Sequence, residues 1–129
     1  MLTQKDYCDY DTCVALKELG YDELCEGYYH ITDDEDYNQL SFEWCCGCDF
    51  QNSLNRWRVG VPTLYEAQKW LREEKSILIL PDYNIFGWFC GIHYPINSAK
   101  KYIAKEVNSY EEVLLEGIKE AVKLLKEEK

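Results

Sequence analysis

The sequence predicts an α+β domain in which about three helices pack against a mostly antiparallel sheet. Two observations predict this class. Three segments carry apolar residues at helical spacing, and short strand-like segments fill the gaps between them. With 129 residues, 47% of them hydrophobic, the chain has enough apolar material for one packed core. No internal repeat or Gly/Pro/Ser-rich linker interrupts it, so we expect a single domain over residues 1–129.

The first helix is expected from about Tyr10 to Leu19. Asp9 precedes it and can act as its N-cap, because the carboxylate can accept a hydrogen bond from an unpaired N–H of the first turn. Gly20 follows the helix and can take the left-handed conformation that ends many helices. Tyr21 would then pack back on Leu16, which completes a Schellman arrangement.

Two further helices are expected to begin with capping boxes, in which a hydroxyl and a carboxylate three residues apart satisfy two backbone N–H groups. Thr63 and Glu66 form the first pair, and Ser109 and Glu112 form the second. Gly117 lies beside the apolar stripe of the last helix, and close approach of a neighbouring element would explain a glycine there. The apolar positions that predict core packing are Leu64, Ala67, Trp70 and Leu71, and then Leu114, Ile118, Ala121, Val122 and Leu125.

Strand-like segments occupy the rest of the chain. The acidic run Asp33–Asp36 is expected to form the solvated tip of a first hairpin, and Pro81 to Asn84 a turn after a buried strand. In the following strand, alternation places Phe86 on the same face as Trp88 and Cys90. The expected strands are Gly27 to Thr32, Asn38 to Glu43, Arg56 to Val59, Ser76 to Leu80, Phe86 to Tyr94 and Tyr102 to Glu106.

The charge of the chain restricts its partners. The formal net charge is −10 and the pI is about 4.6. Such a surface repels phosphate backbones and anionic lipids, so we expect no direct nucleic-acid binding and no membrane association. Residues 1–7 turn polar at once and offer no secretory signal, which predicts a cytoplasmic protein.

The stretch EWCCGCDF, residues 43–50, is the one segment that suggests metal or redox chemistry. Cys45 and Cys48 have the C-x-x-C spacing of a zinc site, with Cys46 between them. A structural zinc site needs four ligands, and Cys25 with His30 is the best remaining pair, at a nonstandard spacing. We therefore favour reduced thiols, several of them acting as small core hydrophobes, and no cofactor. A zinc-stabilised domain using Cys45 and Cys48 is the alternative.

The sequence contains no pattern that predicts an enzyme. It lacks phosphate-binding, dinucleotide-binding and metalloprotease motifs, and its only histidines, His30 and His93, have no motif around them. With 24 Asp and Glu residues, no carboxylate pair is diagnostic.

Arg56, Trp57 and Arg58 form a basic and aromatic island in an acidic protein. Trp and Arg are over-represented at interface hot spots, so these three residues are the predicted binding site if they are exposed. A strand with Trp57 inward and both arginines outward is the structural alternative.

Two segments carry a resemblance to known proteins: residues 62–75, PTLYEAQKWLREEK, and residues 109–121, SYEEVLLEGIKEA. With the opening helix that ends in Leu19-Gly20-Tyr21, they resemble small uncharacterised proteins of phages and prophages of gut Bacteroidetes. Val113 stands where that family pattern has Ala. The likeness spans most of the chain, but it implies no activity and carries over no site residue.

The sequence thus predicts a non-enzymatic accessory protein of a phage or mobile element, acting through protein–protein contact. The partner is an unidentified protein or a second copy of the chain. A third hypothesis treats the acidic surface as mimicry of a nucleic-acid backbone that blocks a host DNA-binding enzyme.

Overall fold

A computed structural model of the chain describes residues 4–30, 43–44, 58–94, 100–104 and 109–127. The chain divides into two units, Tyr7–Thr63 and a second made of Met1–Asp6 with Leu64–Lys129. They are named the 7–63 unit and the 64–129 unit below. Their described elements are helices and antiparallel strands, which confirms the α+β class. The single domain over residues 1–129 stays a prediction.

Among its described residues, the 7–63 unit has one α-helix and a three-stranded antiparallel sheet. Helix α1 spans Tyr10–Glu18, β1 spans Gly27–His30, β2 spans Glu43–Trp44 and β3 spans Arg58–Gly60. The strand order is β2-β1-β3, with Gly27 opposite Trp44 and Tyr29 opposite Val59. The antiparallel pairing of β1 with β2 agrees with the expected first hairpin. Residues 38–42 of its second strand and its expected acidic tip, Asp33–Asp36, lie outside the described residues.

Helix α1 begins and ends as its sequence predicts. The carboxylate of Asp9 accepts a hydrogen bond from the N–H of Thr12 at 2.9 Å. Gly20 has a φ of 103°, and the N–H of Tyr21 donates to the carbonyl of Leu16 at 2.9 Å. These observations confirm the N-cap and the Schellman ending.

The core of the 7–63 unit lies between α1 and its sheet. Cys13 and Leu16 on the helix are fully buried, as is Val59 on β3. The ring of Tyr29 is also buried and meets the edge of the Tyr10 ring, with centroids 5.7 Å apart. Alternate residues of a strand face opposite sides, so Tyr29 and Val59 share the helix side of the sheet.

In the part of the 64–129 unit that the structure describes, there are two α-helices and a second three-stranded antiparallel sheet. Helix α2 spans Leu64–Lys75 and α3 spans Tyr110–Glu127, while the strands are β4 (Leu78–Asn84), β5 (Gly87–His93) and β6 (Lys100–Ala104). The strand order is β4-β5-β6, so the strand expected near residue 102 is an edge strand. Both helices pack on β4, and α3 also covers β5.

Helix α3 is anchored at its start and in its middle. The hydroxyl of Ser109 accepts a hydrogen bond from the N–H of Glu112 at 3.2 Å, which confirms the predicted N-cap. A Cβ on Gly117 would lie 2.5 Å from the Sγ of Cys90 and 2.7 Å from a methyl of Ile79. The expected close approach is therefore confirmed, and the neighbouring element is the β4–β5 sheet. The predicted apolar stripe is buried: Leu114, Ile118, Ala121, Val122 and Leu125.

The turn between β4 and β5 differs from the prediction. Pro81 to Asn84, expected as a turn, continue strand β4, with Pro81 opposite Cys90 and Asn84 opposite Gly87. The turn consists of Ile85 and Phe86, so the prediction that Phe86 belongs to the strand was wrong. Pro81 is tolerated because β4 is an edge strand, where a residue without an N–H breaks no ladder hydrogen bond if it faces outward.

Candidate interaction surface

The β4–β5 turn is built by the residues on either side of it. The side-chain oxygen of Asn84 accepts a hydrogen bond from the N–H of Phe86 at 2.8 Å. Gly87 has a φ of 112°, in the left-handed region that glycine adopts at little cost because it has no Cβ. Asn84 and Gly87 therefore supply the turn chemistry, and nothing in it requires an apolar residue at position 85 or 86.

Ile85 and Phe86 are nevertheless large, apolar and almost fully exposed, at 92% and 91%. Turn positions usually carry Gly, Asn, Asp, Ser or Pro, which hydrogen-bond locally or tolerate the backbone geometry. Single exposed apolar residues are ordinary, but contiguous ones mark interaction sites. Ile85 and Phe86 are named the tip below.

Three aromatic residues continue the apolar surface behind the tip. Tyr83 and Trp88 are directly opposite each other on β4 and β5, with ring centroids 5.1 Å apart. Trp88 also meets Tyr110, the first residue of α3, with ring centroids 6.0 Å apart. Both contacts are edge-to-face, the arrangement that aromatic pairs prefer. Tyr83, Trp88 and Tyr110 are named the aromatic row.

The aromatic row is held in place but remains accessible. Tyr83 is 63% exposed, Tyr110 is also exposed, and Trp88 between them is half-buried. Cross-strand aromatic pairs such as Tyr83 with Trp88 stabilise a sheet by about 0.2–1 kcal/mol. The tip and the aromatic row together form one surface of the 64–129 unit, and three secondary-structure elements, β4, β5 and α3, fix it.

Acidic side chains border this surface. The hydroxyl of Tyr65 on α2 donates to the carboxylate of Asp6 at 2.8 Å. Partial burial, then this hydrogen bond, raises the pKa of Tyr65 to about 12, and the charge of Glu111 contributes. Tyr65 therefore stays a hydrogen-bond donor at neutral pH. Glu111 follows Tyr110 directly, so its carboxylate and that of Asp6 lie at the α3 end of the row.

A further carboxylate lies at the tip end of the row. Asp82 is exposed on β4, and its side chain accepts a hydrogen bond from the N–H of Tyr83 at 2.8 Å. Two basic side chains of the described residues lie near these carboxylates: Lys5 is beside Asp6, and Lys69 is one turn of α2 after Tyr65. The described side chains of the border therefore carry more negative than positive charge, with three carboxylates against two lysines.

The predicted island of Arg56, Trp57 and Arg58 is described only at Arg58. This residue lies on β3 in the 7–63 unit, half-buried, with its guanidinium 4.7 Å from the centre of the Tyr28 ring. Its main-chain carbonyl accepts a hydrogen bond from the ammonium of Lys17 at 3.0 Å. Arg56 and Trp57 lie outside the described residues, so their role as a binding site stays a prediction.

Four cysteines of the described residues act as core side chains. Cys8, Cys13, Cys25 and Cys90 are buried. Burial, and then the charges of Cys8 and Asp9, raise the pKa of the Cys13 thiol well above its ordinary value, which suppresses the nucleophilic thiolate. These four confirm the expectation of thiols as small core hydrophobes.

The zinc hypothesis falls mostly on residues that are not described, since Cys45, Cys46 and Cys48 lie between the described segments. Cys25 is described, and its thiol donates to the carbonyl of Glu23 at 3.5 Å. Across residues 4–30, 43–44, 58–94, 100–104 and 109–127, no group of three or more His, Cys, Asp or Glu side chains could hold a metal ion.

No protein-family model, curated protein or solved structure matches this chain. The resemblance to small phage and prophage proteins therefore stays a prediction. Among the described helices, none is both long enough and apolar enough to cross a membrane. The tip, the aromatic row and their acidic border are thus the features from which a function can be argued.

Proposed function

We propose that this chain is a non-enzymatic accessory protein of a phage or mobile element, and that it acts in the bacterial cytoplasm through protein–protein contact made by the β4–β5 hairpin. The observation that carries the proposal is the exposure of two large apolar side chains, Ile85 and Phe86, on a turn that does not need them. The tip is the anchor, and the aromatic row behind it widens the contact.

The energetics favour a protein partner with a pocket. Burying an exposed Ile or Phe side chain gains about 1.5–3 kcal/mol each, which is the size of an interface hot spot. Trp88 is already held between Tyr83 and Tyr110, so docking would order few additional rotamers. A surface arranged in this way loses little conformational entropy when it binds.

The test replaces the tip and keeps the turn. The double variant Ile85→Ser and Phe86→Ser leaves Asn84 and Gly87 in place, so the hairpin should fold with an unchanged circular dichroism spectrum. We expect the variant to capture at least about tenfold less of the specific partner from host lysate than the wild-type chain does. Quantitative mass spectrometry measures the captured amounts.

Leu24 provides the matched control, because it is another exposed apolar residue, at 55%, and lies in the 7–63 unit. Leu24→Ser should capture as much partner as the wild type. If the partner is a second copy of the chain, light scattering will show a dimer that the tip variant lacks. Equal capture and an equal molar mass for the wild type and the tip variant would contradict the proposal.

The two other hypotheses from the sequence stay predictions. A zinc site on Cys45 and Cys48 lies outside the described residues. Mimicry of a nucleic-acid backbone gains one argument from the charge distribution: residues 7–63 contain twelve acidic and three basic side chains, a formal charge of −9, against −1 for the rest of the chain.

A further inference from the structure

We infer that the partner is a different protein whose surface offers an apolar pocket rimmed by Lys and Arg, and that the hairpin docks into it by side chains rather than by adding a strand. This inference rests on the proposed function and gives the partner a chemistry. It follows from the outer edge of β4 and from the charges that border the tip and the aromatic row.

The outer edge of β4 is closed to a further strand. The amide of Gln68 on α2 donates to the main-chain carbonyl of Ile79 at 2.7 Å, so the backbone groups of Ile79 face away from β5. Along an antiparallel strand, the N–H and C=O groups of successive residues point to opposite sides. The backbone groups of Pro81 and Tyr83 therefore point outward, as those of Ile79 do.

Neither of those residues offers a free donor. Pro81 has no N–H, and the N–H of Tyr83 is taken by the carboxylate of Asp82 at 2.8 Å. A partner strand that paired along β4 would find the carbonyl of Ile79 occupied and no donor at the next two outward positions. Docking by strand addition at this edge is thus disfavoured, which leaves the side chains of the tip and the row.

The charges at the border select the partner. Asp82 lies at one end of the aromatic row, and Glu111 and Glu112 lie at the other, next to Tyr110. Asp6 adds a further carboxylate beside Tyr65. Lys and Arg on a partner would face these groups, and such complementarity raises the association rate and sets specificity.

The same charges argue against a second copy as the occupant. A two-fold symmetric dimer brings the same patch of both subunits together. The acidic border of one copy would then face the acidic border of the other, and like charges across an interface weaken association. An anionic membrane is disfavoured for the same electrostatic reason, although the apolar tip alone would suit a lipid surface.

The experiment uses the full-length chain with the photo-crosslinker benzoylphenylalanine in place of Phe86, irradiated in host lysate. Cross-linked peptides are identified by mass spectrometry. We expect them to come from another protein, at an apolar site with Lys or Arg around it. Capture should fall several-fold between about 0.05 M and 0.5 M NaCl, because salt screens the border charges.

Two double variants that change the net charge equally test the role of the border carboxylates. Asp82→Asn with Glu111→Gln removes two negative charges and keeps side-chain shape, including an oxygen at position 82 that can still accept from Tyr83. We expect capture to fall by about three- to tenfold. Glu74→Gln with Glu127→Gln removes the same charge from exposed positions elsewhere on α2 and α3, and should leave capture unchanged.

Each alternative has its own outcome. A cross-link from position 86 to another protein, with capture insensitive to salt and to the Asp82 and Glu111 changes, would overturn the basic rim and leave the proposed function standing. A cross-link to a second copy would overturn the different-protein inference alone. Binding to phosphatidylglycerol vesicles that is lost in the Ile85→Ser and Phe86→Ser variant, with no protein cross-link, would overturn both.

Discussion

Gly117 leaves no room for a side chain where helix α3 packs on the β4–β5 sheet. We expect Gly117→Ala to destabilise the protein by about 1–3 kcal/mol. The added methyl would lie 2.5 Å from the Sγ of Cys90 and 2.7 Å from a methyl of Ile79, inside a core where neither can move away freely. Urea unfolding measures the change in the free energy of unfolding.

Helix propensity alone would make Gly117→Ala stabilising, because Ala is favoured over Gly by about 1 kcal/mol in a helix. The expected change in the free energy of unfolding therefore has the opposite sign. Lys123→Ala, at an exposed position of the same helix, is the control and should change stability by no more than about 0.5 kcal/mol. Higher stability of Gly117→Ala would show that the helix can shift from the sheet at little cost.

Phe86 illustrates why the candidate surface was not predicted from sequence. Alternation extends from Trp88 back to Phe86, and apolar residues in such a pattern are usually core, so the pattern predicts Phe86 inside the strand. The informative signal was Asn84 and Gly87, which flank a two-residue turn. Periodicity reports which residues alternate, but it does not report where the pattern stops.

At the scale of elements, the end of α2 contains a local conformational conflict. Ser76 follows the helix with a φ of 56°, in the left-handed region that costs residues with a Cβ about 1–2 kcal/mol. The N–H of Ile77 donates back to the carbonyl of Leu71 at 3.1 Å, and Ile77 is fully buried, so the chain is held in this path.

We expect Ser76→Gly to stabilise the protein by about 0.5–1 kcal/mol, because relief of the left-handed strain exceeds the extra unfolded-state entropy of glycine. The measurement is the midpoint and slope of urea unfolding. Ser76→Ala keeps the Cβ and the strain, so it should leave stability nearly unchanged. Should Ala and Gly behave alike, the conformation of Ser76 carries no cost.

Most helix boundaries could be predicted because their signals are local. Asp9 and Ser109 accept the hydrogen bonds that their positions predict, and Gly20 ends α1 in the expected conformation. The extent of β4 could not be predicted from local signals. Pro81 indicates a turn by its chemistry, and only the knowledge that β4 lies at a sheet edge shows that a proline fits there.

At the scale of the whole molecule, buried ionisable groups predict loss of stability in alkali. Burial raises the pKa of the Cys90 thiol from 9.0 to about 11. Below pH 9 the thiol is protonated in both the folded and the unfolded chain, so its contribution to the free energy of unfolding does not change with pH. Between pH 9 and 11 the unfolded chain releases the proton and the folded chain keeps it, so the free energy of unfolding should fall by about 1.4 kcal/mol per pH unit.

Urea unfolding in the presence of a reducing agent, at intervals between pH 7 and 11, measures this slope. Tyr29, whose pKa burial raises to about 12, adds loss of the same sign at higher pH. In Cys90→Ala the slope between pH 9 and 11 should be shallower by the contribution of one thiol. An unchanged slope would mean that Cys90 ionises equally in both states.

The net charge of the molecule follows directly from its sequence. The location of the candidate surface, however, depends on how that charge is distributed. Almost all of the net charge belongs to the 7–63 unit, whereas the candidate surface lies in the nearly neutral 64–129 unit. The acidic border of the tip is therefore a local feature around Asp82 and Glu111, and total charge could not have located it.

The hydrogen bond from Gln68 to Ile79 and the proline at position 81 also bear on how copies of this protein behave when crowded. Fibrils of the cross-β type grow when the free border of one sheet templates the next chain. The outer edge of β4 cannot serve as this template, because its backbone groups are occupied or missing. Self-aggregation driven by the apolar tip should therefore give amorphous clusters at this edge instead of ordered filaments.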